Sequence, residues 1–509
     1  ALKAALLNPL SEIRRENIKI TDIKVTLLSY RLKPEELWAD GDENSIIWQT
    51  SSVITEVFTD AGITGIGGSS RYNGPEEMKE YTEKVIRPFL IGKNPFDVEI
   101  LTGGVAAGGA RGAWAGVDVA LWDIIGKAKG LPLYKILAVD SEPQTHLRVY
   151  ASGGEFTWRK DSGFTDIGPE SHIRQALSHK QEGYTAFKFR MGGGFGKLGI
   201  TIRDYVPHLY KLRDAVGPDF DLIQEANTRW TVEQCLEICP VLEELKFLWF
   251  EEPTKRVIAD YLKIKQALPT VKISGGEGRN NRYQLAEWMD SGAYDIIQSG
   301  CDDAGMTENW YIARMAHTRG KLFTGHNWQD GLITIANAHL LAAVPNRFLL
   351  ETNMTANPLK EGLFKEKVVV REGYLDVPEK PGLGVELADD LAEKYLNYSP
   401  IPISSLIGEK KDIIPTLLLR YVFELNVNLA NEGNLDRRLV ILNELRIVIE
   451  KYYGSQCPSW DFGHNKVALY EKIGTIHQTM GRTEEALKYF EQAIRSEKVL
   501  YDSNPLNET

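Results

Sequence analysis

Two rhythms of apolar residues divide the chain. Residues 18–68 read as strands: Ile23–Ser29 and Ser52–Thr59 are rich in β-branched side chains, and Asp60-Ala61-Gly62 is a turn signal. Residues 75–138 read as helices. Within Gly112–Leu137 the apolar residues Val117, Ala120, Leu121, Ile124 and Ile125 fall at helical spacing, and Gly130 and Pro132 close that helix. From about residue 146 short apolar runs alternate with amphipathic helices. Val149–Ala151, Ala186–Arg190, Asp221–Glu225, Phe247–Glu251, Lys272–Ser274, Ile296–Gln298, Lys321–Thr324 and Phe348–Leu350 are eight strand candidates. Strands alternating with helices indicate a parallel sheet, and eight of them over about 200 residues indicate a closed barrel.

Beyond the barrel, Val368–Val370, a Gly373 turn and Val377-Pro378 precede Pro381-Gly382-Leu383-Gly384. Residues 366–398 therefore read as strands and a helix that return to the N-terminal domain. Pro400 and Pro402 mark a break, and 413–509 shows helical spacing without strand alternation. Gly474, Ala486, Phe490 and Ala493 fit a tetratricopeptide frame starting at Val467, with a degenerate copy around Gly433; the alternative is a generic helical hairpin. The expected fold class is α/β: an α+β domain at 18–140, a (β/α)7-8 TIM-like barrel at 141–365, a return to the first domain at 366–398, and an all-helical, tetratricopeptide-like segment at 413–509. That last segment is a candidate surface for a protein partner.

Composition narrows the function classes. The 509 residues carry a net charge of -11 with 43% hydrophobic and 25% charged residues, which suits a soluble globular protein and argues against nucleic-acid binding. No apolar run approaches the ~20 residues that span a bilayer. Four scattered cysteines, Cys235, Cys239, Cys301 and Cys457, do not make a disulfide scaffold. The chain opens on Ala rather than Met, which fits either Met removal or a cleaved signal peptide. The expectation is a cytoplasmic enzyme, a homo-oligomer acting on a small carboxylate.

The candidate chemistry lies just past the strands. Glu225, Glu251, Glu277, Asp302, His326 and Glu351 stand 26, 26, 25, 24 and 25 residues apart in turn. A near-constant step is one βα unit, so each unit places one reactive side chain at the C-terminal mouth, where barrel enzymes keep their chemistry. Glu225, Glu251 and Glu277 would repel one another if left alone in one cleft, and a hard divalent cation such as Mg²⁺ resolves this. Taken singly, each glutamate is better read as structural and lysine-paired. Lys188 and Arg190, two apart on one strand, face the same way into the mouth, where a substrate carboxylate is a natural partner. Their plainer reading is a pair of lumen charges satisfied by the glutamates. His326, in Gly325-His326-Asn327-Trp328, is suited by its pKa to act as base or acid near neutral pH.

In order and spacing, these residues resemble the enolase superfamily, and within it the mandelate racemase-like branch. The likeness covers about residues 18–396. It rests on Ala120-Leu121-Trp122-Asp123 with Gly126-Lys127-Ala128 and Gly130-Leu131-Pro132, on Lys188-Phe189-Arg190, Glu225-Ala226-Asn227, Phe250-Glu251-Glu252-Pro253, Gly276-Glu277, His326 and Pro381-Gly382-Leu383-Gly384. The resemblance implies that the α+β parts cap the barrel and close over the substrate. It implies Mg²⁺ on Glu225, Glu251 and Glu277, and a base that removes the proton alpha to a carboxylate to give a metal-stabilised enediolate. It places Glu351 where a protonated carboxyl can hydrogen-bond that carboxylate.

Three departures matter. Glu225 stands where the family usually has aspartate. Arg190 stands where it often has a lysine base, and a guanidinium stays protonated near neutral pH. The aspartate that usually partners the histidine is replaced at Ser299 or Gly300, with Asp302 as a substitute. Loss of one base weakens a two-base racemase and favours β-elimination, so dehydration of an acid sugar is the leading expectation. An epimerase, racemase or cycloisomerase is the alternative, and a non-catalytic metal-binding scaffold with an interaction tail is the reading from another class. Asn227 and Trp328, with Trp38 and its loop neighbours Asp40, Asp42, Glu43 and Trp48, are candidates for substrate contact.

Overall fold

The computed structural model describes residues 8–395 except 34–35, 37, 40–45, 48, 70–74, 103–110, 155, 158–168, 191–200 and 280, together with 439, 442–443, 446 and 460–502. Asp40, Asp42, Glu43, Trp48, Cys457 and the second repeat expected around Gly433 lie outside the described residues. The chain divides into one unit of residues 1–43 and 48–397 and a second of 44–47 and 398–509.

The first unit opens with an antiparallel sheet of β1 (Ile20–Arg31), β2 (Gln49–Thr59) and β3 (Thr64–Ser69), in the order β1-β2-β3. Helix α1 (Arg111–Lys129) lies on β3 at a distance that only glycine permits. A Cβ on Gly67 would sit 1.9 Å from the Gly116 carbonyl, and one on Gly65 2.0 Å from that of Ala120. Two buried aspartates of α1 fasten the neighbouring parts. Asp118 accepts from Thr102 Oγ1 at 2.6 Å and from the Thr307 amide at 2.9 Å. Asp123, in the Ala120-Leu121-Trp122-Asp123 motif, accepts from the amides of Ile66 at 2.9 Å and Leu383 at 2.8 Å and from Lys127.

Eight parallel strands follow: β4 (His146–Gly153), β5 (Ala186–Arg190), β6 (Asp221–Glu225), β7 (Trp249–Glu251), β8 (Lys272–Gly275), β9 (Ile296–Gln298), β10 (Leu322–Thr324) and β11 (Leu350–Asn353). They are hydrogen-bonded in the order β10-β9-β8-β7-β6-β5-β4-β11, and the amide of Phe348 to the Phe323 carbonyl at 2.9 Å nearly closes the ring. The last strand begins two residues later than Phe348, because Phe348 serves that closing contact. Helices α2 (Pro169–Gln181), α3 (Ile202–Val216), α4 (Val232–Glu244), α5 (Ile258–Gln266), α6 (Arg282–Ser291), α7 (Cys301–Thr318) and α8 (Gly331–Ala343) lie between the strands. Capping boxes at Thr201/Asp204 and Thr231/Gln234 start α3 and α4. The fold is thus a TIM-like (β/α) barrel.

Inside the barrel, Tyr150, Ala186, Ile223, Trp249, Ile296 and Leu349 form one buried layer. Each aliphatic side chain buried there stabilises the barrel by roughly 1.5–3 kcal/mol. After β11 the chain adds β12 (Tyr374–Asp376) antiparallel to β4, and a short helix Leu391–Tyr395 then brings Tyr395 to within 6.4 Å of the Tyr30 ring on β1. The 366–398 segment therefore joins the barrel edge before it returns to the first sheet.

Within the second unit, Ile46–Ile47 is a two-residue strand, and residues 398–509 are helical where they are described. Helices α9 (Trp460–Thr479) and α10 (Thr483–Asp502) form a hairpin that turns at Gly481, whose φ is +73°. Tyr470, Ala493 and Tyr489 pack between them. Gly474 faces the Phe490 ring so closely that a Cβ would lie 2.8 Å from it.

Candidate active site

Side chains two apart on a strand share a face. Four of the six buried layer residues therefore support a charged one: Ala186 lies under Lys188, Ile223 under Glu225, Trp249 under Glu251 and Leu349 under Glu351. Lys188 is the hub. Its Nζ lies 2.5 Å from Glu251 Oε1, 2.7 Å from Glu351 Oε1 and 3.5 Å from Glu225 Oε2. Burial alone would lower its pKa, but the three carboxylates outweigh burial and hold it well above the usual lysine value. Lys188 is an ammonium here, not a proton acceptor.

Arg190 donates from Nε to Glu225 Oε2 at 2.8 Å, and its guanidinium lies 4.4 Å from the Trp328 ring centre. Trp328 packs on Trp38 with ring centres 5.8 Å apart and donates its Nε1 to Ser152 Oγ at 3.2 Å. Both tryptophans are buried, so they form a floor beneath Arg190. Asn227 donates its Nδ2 to Glu225 Oε1 at 3.0 Å, with a backbone φ of +48°. All three candidates for substrate contact thus engage other site residues.

The carboxylates differ in state. Burial would raise Glu225, but Arg190 and Lys188 hold it far below the usual carboxylate range. Glu251 accepts from Trp249 Nε1 at 3.0 Å and Gln298 Nε2 at 2.8 Å, yet burial and the charges of Glu225 and Glu351 push it up to about 7 against the pull of Lys188. Glu351 accepts from the Asn327 amide at 2.6 Å. Burial opposes ionisation there, while Lys188 and His326 favour it and win, so its pKa is lowered. The ammonium 2.7 Å away favours the charged form of Glu351, against the neutral carboxyl that the family resemblance implies beside a substrate carboxylate.

Glu277 lies past the end of β8 and is the most exposed of the four glutamates, with its side chain 31% accessible. His326 follows β10, its carbonyl held by Asn337 Nδ2 at 3.0 Å, and its Nε2 lies 3.6 Å from Glu277 Oε1. Burial would lower the imidazole pKa, but Glu277, Glu351 and Asp302 raise it above the ordinary value. Asp302 sits in the first turn of α7, with its carboxyl in the space beside Gly300: a Cβ there would lie 2.3 Å from Asp302 Oδ1. That Oδ1 is buried and makes no hydrogen bond among the described residues. Burial and the neighbouring Asp303 push its pKa up to about 8. A dyad hydrogen bond between Asp302 and His326 is not formed, and the acid nearest the imidazole is Glu277.

Glu225 and Glu251 are register partners on β6 and β7, whereas the β8 partner of Glu251 is Ser274, three residues before Glu277. Among the described residues no three acid, thiol or imidazole groups come together at metal-holding distances. The expected convergence of Glu225, Glu251 and Glu277 is therefore only partial. The first two lean on Lys188 and Arg190, and the third turns to His326. The donor set nevertheless suits a hard divalent cation, because three adjacent strand ends supply carboxylate oxygens.

Comparison with known proteins agrees with this architecture. The family model for the mandelate racemase/muconate lactonizing enzyme N-terminal domain matches residues 45–138, and the enolase C-terminal domain-like model matches residues 172–391. The arabinonate dehydratase of Saccharolobus solfataricus is 30% identical over 359 residues, 67% of this chain and 90% of that protein. The chain belongs to the mandelate racemase branch of the enolase superfamily. The D-galactarolactone cycloisomerase of Agrobacterium fabrum is 27% identical over 404 residues, 75% of this chain and 100% of that enzyme. A crystal structure of an enolase-superfamily member from Polaromonas sp. JS666 superposes with a TM-score of 0.64 at 28% identity, over 75% of this chain and 99% of that one. As a member of this branch the chain is an enzyme, of lyase or isomerase type, and its relatives' reactions are those of acid sugars and their lactones.

Three lumen residues of this enolase-superfamily enzyme escaped the sequence reading: Trp249, Gln298 and Asn327, which all hydrogen-bond the glutamates. Trp249 shares a strand face with Glu251 and Gln298 ends β9, so their signal was strand parity. The contact of Asn327 is through its backbone and leaves no mark in residue type.

Among the described residues, no helix is long and apolar enough to cross a membrane. Cys235, Cys239 and Cys301 are free and buried.

Proposed function

We propose that the enzyme dehydrates an aldonate or aldarate in a Mg²⁺-dependent reaction that begins with removal of the proton alpha to the carboxylate. The observation that carries this reading is the asymmetry of the mouth. Among the described residues, one side presents a single imidazole, His326, and the other presents Lys188 and Arg190, both held as cations. A carbon held between them meets one proton acceptor, which suits elimination and not two-base racemisation.

Glu225, Glu251 and Glu277 would hold Mg²⁺, which when bound supplies Lewis-acid stabilisation to a carboxylate that is becoming electron-rich. The protein's own groups do the remainder. His326 Nε2 takes the α-proton, the C–H pair forms the new double bond, and the β-hydroxyl leaves with a proton as water. The imidazolium is placed to return that proton, and tautomerisation then gives a 2-keto-3-deoxy acid. Lys188 and Arg190 supply fixed positive charge toward the carboxylate side. The Trp38–Trp328 pair holds Arg190 in its place.

The relatives support an acid-sugar substrate, since the arabinonate dehydratase and a D-xylonate dehydratase of Haloferax volcanii both carry that activity in their names. The test is a panel of aldonates, aldarates and aldarolactones with Mg²⁺. Loss of water with formation of a 2-keto acid is the expected result. An epimer or a ring-opened lactone, formed with no water lost, would instead assign the alternative isomerase or cycloisomerase chemistry.

The C-terminal hairpin is read as a tetratricopeptide-like interaction segment. The close approach of Gly474 to Phe490 is the small-on-large packing that such a frame requires.

A further inference from the structure

Glu252, next to Glu251, has no place in the chemistry above, yet it is 1% exposed and adopts a φ of +38° that only a few non-glycine residues here share. Backbone strain of this kind persists where the surroundings over-determine it. The surroundings of Glu252 are specific. Its amide donates to the Ser274 carbonyl on β8 at 3.1 Å, and its carbonyl accepts from the Thr228 amide at 2.7 Å, just past Asn227. Its carboxylate accepts from the Gly276 amide at 3.0 Å, one residue before Glu277. Arg256 Nε grips both carboxylate oxygens at 3.0 Å, and the Tyr261 hydroxyl donates to Oε2 at 2.7 Å.

Glu252 thus ties together the ends of β6, β7 and β8, the three strands that carry Glu225, Glu251 and Glu277. Glu277 has no ladder of its own, because β8 ends at Gly275 and Gly276 has a φ of +122°. The Glu252 side chain holds the Gly276 amide from the β7 side, while the Gly276 carbonyl accepts from the Arg279 amide at 3.0 Å and Arg256 offsets the charge of Glu252. We propose that Glu252 is a positioning residue: it sets the distance of Glu277 from Glu251 and so prepares the carboxylates to share one divalent cation. The proposal rests on the Mg²⁺ reading above and makes it specific.

The test is calorimetric titration of the full chain with Mg²⁺ alone. Wild-type protein that binds no Mg²⁺ would defeat the metal reading itself. Given wild-type binding, E252D keeps the charge but is one methylene too short to reach the Gly276 amide, and E252Q keeps the length but loses charge. Both are expected to bind Mg²⁺ at least ten-fold more weakly. R256M, which removes the anchor of Glu252 at the partly exposed end, is expected to weaken binding in the same direction and keeps the test usable should the first two misfold. D221A removes the partner of Arg148 at the N-terminal end of β6, opposite the mouth; it is expected to lower the melting temperature and leave affinity unchanged. Wild-type affinity in folded E252D or in R256M would overturn the proposal, and so would a loss in D221A as large as in E252D.

Discussion

At the scale of single residues, the site is a balance of charges around one ammonium. Lys188 takes the electrostatic load of Glu225, Glu251 and Glu351, and His326 takes that of Glu277. The imidazole is therefore expected to titrate above the ordinary histidine value of about 6.5 in metal-free protein. A raised folded-state pKa stabilises the fold fully below the unfolded value, and that contribution is lost as pH rises through the folded one. Proton abstraction runs the other way, gaining as pH rises and the imidazole becomes neutral. Titration by NMR with and without Mg²⁺ checks this, and E277Q should lower the value; an imidazole at or below the ordinary pKa would contradict the geometry. The sequence made the identity of these residues legible, because a βα unit repeats at nearly constant length. It did not show which carboxylate faces which cation. That depends on the two-residue offset of Glu277 beyond β8, and spacing alone does not resolve such an offset. Nor did the sequence show that Trp38 and Trp328 pack on each other beneath Arg190.

At the scale of elements, most strands and helices followed from periodicity; Val368–Val370, read as a strand, forms none, and the other misses sit at element ends. Leu350–Asn353 begins late because Phe348 closes the ring, and Tyr374–Asp376 joins β4 because its alternation fits the barrel edge as well as the first sheet. Glycines inside β3 gave no functional signal, yet they decide how α1 sits. Gly67→Ala would push a methyl into the Gly116 carbonyl, and overpacking of this kind costs about 1–3 kcal/mol. Urea unfolding of the first unit should report a loss at least of that order. A G67A protein as stable as wild type would show that α1 is free to move off the sheet.

For the whole molecule, the unit of residues 1–43 and 48–397 contains every residue of the site, while the helical second unit adds none among its described residues. The barrel supplies rigid strand ends, and the apolar layer beneath them keeps the charged layer in register. Family membership was legible because the motifs recur in order over the whole first unit. The identity of the acid was not, because the loop carrying Asp40 to Trp48 gives no pattern beyond its polarity. The central claim is that His326 removes the proton alpha to a carboxylate. Its most direct measurement is deuterium uptake at the α-carbon of a turned-over acid sugar in D₂O with Mg²⁺, for wild type against H326N. The account predicts that H326N loses exchange by roughly 10²–10⁴-fold, the usual contribution of a general base, while it still binds Mg²⁺. Undiminished exchange in H326N would contradict it.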